Sequence, residues 1–109
     1  MFKILKEPTF KHKVRISVPI NGGYRDETVE ATFRVVDPAR LDGHDLRTTE
    51  GSTAFLKDVL VKLDDIADET GSPLSWSDEV RDAVLCLPYA RSALAAAYFK
   101  AMVGAREGN

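Results

Sequence analysis

The second half of this chain constrains its fold most. From Ser52 to Leu63 the apolar residues Phe55, Leu56, Val59, Leu60 and Leu63 recur three and four apart. That spacing predicts a helix with one buried face. Asp64 to Gly71 breaks the pattern. Ser77 to Leu87 resumes it with Val80, Val84, Leu85 and Leu87, and Pro88 interrupts. Tyr89 to Ala105 closes the series, with Leu94, Tyr98, Phe99 and Met102 set among alanines. These short packing helices carry no catalytic set. A chain organised this way is better suited to holding another protein than to performing chemistry.

The first part reads as β structure. Val14, Ile16 and Val18 alternate with Lys13, Arg15 and Ser17, the pattern of a half-buried strand. Pro19 ends it, and Asn21-Gly22-Gly23 supplies residues that accept positive φ. Thr28 to Val36 reads as the returning strand, with Val29, Ala31, Phe33 and Val35 on one face. The connection is expected to exceed two residues, and Phe2 to Leu5 to add a short third strand. Asp37-Pro38 is a helix start, since Asp accepts from free backbone N–H groups and Pro fits the first turn. The helix it opens is expected to run to about Leu46, with Leu41 inward. Thr48 to Ser52 reads as a polar break, and Asp64 to Pro73 as an exposed loop. Ser75 with Asp78 holds the spacing of a capping box.

The expected fold is therefore α+β: an antiparallel hairpin or three-stranded sheet over residues 1–36, then about four helices over 37–109. Its 109 residues suit one domain with one core. The hydrophobic fraction of 44% argues against wholesale disorder. A formal charge of −2 gives no basic footprint for nucleic acid. The charge is uneven all the same, because residues 48–77 hold two basic side chains against six acidic ones. No apolar run is long enough for a membrane span, and Met1 to Lys6 lacks a signal-peptide core, so a cytoplasmic location is expected. The single cysteine, Cys86, cannot form an internal disulfide and reads as a buried small apolar residue between Leu85 and Leu87.

Tests for site chemistry come out negative. Placing Gly71 at the sixth position of a calcium loop puts Ile66 at the first and Ser77 at the last, which leaves Asp68 alone as a well-placed ligand. His12 and His44 lie on different elements, with no further ligand at metal-binding spacing. Gly22-Gly23 lacks the remainder of a phosphate-binding loop and sits between strands. An enzyme would need one histidine to meet a carboxylate and a nucleophile in a cleft. No catalytic residue, cofactor or metal is expected. Tyr98, Phe99 and Met102 span more than one face of the last helix, since neighbours differ by about 100°. Apolar surface left over there would mark a partner site, with Leu94 as a weaker contributor.

The order of these signals resembles the small tail assembly chaperones of long-tailed bacteriophages and prophages, over most of the chain. A Phe-containing opening and hairpin lead through a helix to Asp-x-x-Gly-x-Pro-Leu, here Asp68 to Leu74. Trp76-Ser77 follows, then a short helix to Pro88, and a last helix that carries Tyr98 and ends Gly-Ala-Arg-x-x-Asn, here Gly104 to Asn109. One departure is Leu63, where members often carry Trp. The resemblance implies a non-enzymatic role: coating the tape measure protein, helping to recruit tail tube subunits, and leaving before the virion is complete. The alternative is a small bacterial adaptor or regulatory module that dimerises through its C-terminal helix.

Overall fold

The computed structural model describes residues 1–104. Two long strands, β1 (Thr9–Ile20) and β2 (Gly23–Arg34), form the hairpin. They pair antiparallel from Thr9↔Arg34 to Ile20↔Gly23. The connection is thus the two residues Asn21 and Gly22, tighter than expected. Gly22 makes it feasible by adopting a φ of +78°, where a Cβ would be strained. On the inner face Phe10, His12, Val14, Ile16 and Val18 of β1 stand opposite Phe33, Ala31, Val29, Glu27 and Arg25 of β2. That face is apolar at its base and turns polar on β2 toward the tip.

The third strand is not Phe2 to Leu5, which carries no strand and is exposed. It is β3 (Leu60–Asp64), read from the sequence as the end of a helix. It pairs with β2 through Ala31↔Leu63 and Phe33↔Leu60, with a bulge opposite Thr32/Phe33. A regular strand would turn Leu60 and Leu63 to opposite faces. The bulge inserts one extra residue, so both are buried. A spacing of three, which imitates a helix, is here produced by an irregular strand.

Four helices complete the α+β architecture: α1 (Pro38–Leu41), α2 (Thr49–Val59), α3 (Asp78–Leu85) and α4 (Pro88–Met102). Asp37 caps α1 by accepting from the Ala39 N–H. This helix stops at Leu41, well short of Leu46, which stays exposed. The expected polar break at Thr48 to Ser52 is instead the start of α2: Thr48 accepts from the Gly51 N–H as its cap. Gly51 is required there, since a Cβ would lie 1.8 Å from the Asp45 carbonyl oxygen. The cap of α3 is Ser77, through the Val80 N–H, and not the Ser75 of the sequence pattern. Cys86 ends α3 and is exposed, which corrects the buried position expected from its leucine neighbours. The α4 helix ends at Met102, while its expected limit at Ala105 lies outside the described residues, as does the Ala105–Asn109 part of the terminal motif.

One core joins both parts of the chain. Phe33, Val36, Phe55, Leu56, Val59, Leu63, Leu85 and Leu94 are all buried within it. The stripe Ala90, Leu94 and Tyr98, spaced by four, is the buried edge of α4. Tyr98 is its keystone: the ring centroid lies 5.7 Å from Phe33, 5.5 Å from Phe55 and 6.5 Å from Phe10. Its hydroxyl accepts from the Val36 N–H at 3.3 Å. The last helix is thereby tied to the end of β2.

Candidate functional site: apolar surface on the last helix and beside the hairpin

The structure divides the four residues singled out from the sequence into two pairs. Leu94 and Tyr98 are 0% and 2% exposed and packed into the core, so neither is available to a partner. Phe99 and Met102 are 43% and 40% exposed. Val103, at the end of the helix, joins them as open apolar surface and was not picked out from the sequence. The geometry follows from helix pitch, which swings Phe99 about 100° away from the buried Tyr98 and places Met102 one turn below it. Phe99 is held in place by stacking on Phe55, with centroids 5.1 Å apart and planes 5° from parallel. Its outer surface borders a depression of about 410 Å³ between α4 and the start of α2. Leu46, Arg47, Thr48, Arg91 and Ala95 line the rest of it. An apolar side chain would meet Phe99 and Leu46 there, and an acidic one would meet Arg47 and Arg91. The Arg91 guanidinium is oriented by donating to the Leu85 carbonyl oxygen at 2.6 Å.

A second, larger hollow of about 1070 Å³ lies between the outer half of the hairpin and the α3 side of the molecule. Ile16, Val18, Val29, Leu74, Val84 and Leu87 give it an apolar lining. Among the described residues its charged lining consists of Glu27, Asp65, Asp68, Glu69 and Glu79, with Arg25 as the single cation. Asp68 organises the 65–74 loop. It accepts from the Thr70 hydroxyl at 2.6 Å and from the Thr70 and Ser72 N–H groups. The Thr70 hydroxyl and then the Ser72 amide hold its carboxyl below the ordinary value of 3.8. One signal in the sequence points to this hollow. Ile16 and Val18 continue the apolar face of β1 at positions where β2 offers Glu27 and Arg25.

The histidines fall elsewhere. His12 is half-buried on the inner face of β1. His44 Nε2 lies 2.9 Å from Asp58 Oδ2, and Arg40 reaches both Asp58 and Glu7. This network ties the segment after α1 to α2. A carboxylate therefore does meet His44, but neither hollow is lined by His12, His44, Asp58 or Cys86. Among the described residues no group of three or more His, Cys, Asp or Glu is placed to hold a metal ion. No helix among them is long and apolar enough to cross a membrane. No family model matches the chain, and no curated protein or solved structure matches it significantly either.

Proposed function

We propose that this chain is a non-catalytic protein-binding module acting as a tail assembly chaperone of a long-tailed phage or prophage. In the bacterial cytoplasm it covers apolar helices of the tape measure protein and helps to bring in tail tube subunits, without becoming part of the virion. The observation that carries this reading is the C-terminal part of α4, where Phe99, Met102 and Val103 expose three large apolar side chains within five residues. Single exposed apolar residues are ordinary, whereas a cluster beside a lined depression is the anatomy of a docking face. The order of sequence motifs supplies the choice of partner. Helix-in-groove recognition suits an escort: a few apolar anchors give an interface that forms and releases.

Co-expression with a helical tape measure fragment tests it. The fragment should co-purify with the wild-type chain and with Tyr24→Ser, a change at the exposed hairpin tip. It should be lost with Met102→Asp, which removes an anchor without touching the Phe99–Phe55 stack. A stable homodimer that ignores the fragment would favour the adaptor reading instead.

A further inference from the structure

We propose that the acidic-rimmed hollow beside the hairpin receives the N-terminal segment, Phe2 to Lys6, of a second copy of this chain. Two features of the fold, each unaccounted for alone, complement one another. The first is the segment itself. Phe2, Ile4 and Leu5 are 90%, 93% and 63% exposed, with Lys3 and Lys6 between and after them. Three large apolar side chains in the five residues Phe2 to Lys6, all exposed, form a concentrated apolar surface. The second is the hollow, apolar inside and bordered by five carboxylates against one arginine. An apolar insert carrying cations fits that lining in both respects. In an extended conformation Phe2 and Ile4 face the same way, as two anchors entering one trough require. Lys6 shares the side of the anchors and meets the carboxylates of the lining, while Lys3, on the opposite side with Leu5, lies toward the outer rim of Glu69, Asp68 and Glu79.

The reach of the chain makes the contact intermolecular. The segment leaves the body at Pro8, whose carbonyl oxygen accepts from the Val35 N–H at the base of the hairpin. At about 3.3 Å per residue, Phe2 extends no more than ~20 Å from Pro8 and Ile4 no more than ~13 Å, whereas Ile16 and Val18 lie ~26 and ~33 Å from it along β1. A copy's own anchors therefore fall short of the hairpin end of its hollow, the part lined by Ile16 and Val18, which the segment of a second copy can enter. Each copy therefore offers a tail and accepts another, a heterologous arrangement that closes into a ring or runs on as an open chain. The hollow and the α4 end are separate surfaces, so tail docking leaves Phe99 and Met102 open.

Light scattering coupled to size exclusion, over a range of concentrations up to about 1 mM, reads the association directly. The full-length wild type should show mass rising with concentration. Phe2→Asp with Ile4→Asp should abolish the rise; both positions are in water, so the fold is not at stake. Lys3→Glu with Lys6→Glu, and separately Glu69→Lys with Glu79→Lys, should each weaken association by about tenfold or more. Mixing these two charge-reversed proteins should restore it, because each reversed tail then meets a reversed rim. The proposal is overturned if the wild type stays monomeric throughout, if the aspartate variant associates as well as the wild type, or if mixing restores nothing.

Discussion

Removing the Tyr98 hydroxyl would leave the buried Val36 N–H without its acceptor while keeping the aromatic packing. A buried donor left unsatisfied costs about 1–3 kcal/mol, so Tyr98→Phe should lower the unfolding free energy by that amount, read as a lower urea midpoint with an unchanged slope. Thr32 poses the reverse case. It is 9% exposed on the outer face of β2, and its hydroxyl has no hydrogen-bond partner. Thr32→Val keeps the β-branched shape and removes the unsatisfied oxygen. It should raise stability by roughly 1 kcal/mol, seen as a higher melting temperature. Asp68 sets a pH dependence. Its folded-state pKa is depressed, so its contribution is present above the ordinary value of 3.8 and is lost as pH falls through the lower folded value. The amide resonances of Thr70 and Ser72 should move together in that acid range, and Asp68→Asn should remove the transition. Asp45 is lowered too, by its contact with the Arg47 side chain, but it lies outside this loop.

The elements differ in how far the sequence betrays them. The hairpin, the Asp37 cap and the helices around Phe55, Leu85 and Leu94 follow from periodicity and end signals, because each makes its hydrogen bonds locally and shows one face to the core. Leu60 to Asp64 did not reveal itself, since a bulged strand with Leu60 and Leu63 inward repeats like a helix. Only long-range pairing with β2 decides between the two, and pairing leaves no local mark. The same limit applies at Cys86. Its neighbour Leu85 is buried, but the helix ends there, and the thiol turns outward. Of the four candidate contact residues, helical spacing implied that the set spans more than one face; which pair would be buried depended on where α4 meets Phe33 and Phe55. Gly51 is legible only in the fold. Gly51→Ala should displace the Asp45 backbone and cost roughly 1–3 kcal/mol, with loss of helical signal at α2 in hydrogen exchange.

The whole molecule is shaped by unequal strands. The hairpin pairs over twelve residues on each side, while β3 pairs only with the base of β2, from Glu30 to Phe33. The outer half of the hairpin projects past β3, and the fold measures 46 × 31 × 28 Å. That projection creates the acidic hollow. The C-terminal end of α4 leaves a second apolar surface open, so the molecule carries two distinct exposed apolar surfaces. The aromatic cluster of Phe10, Phe33, Phe55 and Tyr98 fastens α4 to the sheet. Tyr98→Ala should therefore loosen the whole domain, with a loss of about 3–5 kcal/mol in denaturant unfolding, whereas Met102→Ser should leave stability within about 0.5 kcal/mol.

Hydroxyl-radical footprinting tests the docking face most directly, because both aromatic rings and thioethers report their own contact with water. With a tape measure fragment bound, Phe99 and Met102 should lose reactivity while Tyr24 keeps its own. Unchanged labelling of Phe99 and Met102 in a complex that demonstrably forms would contradict the assignment of α4 as the binding surface.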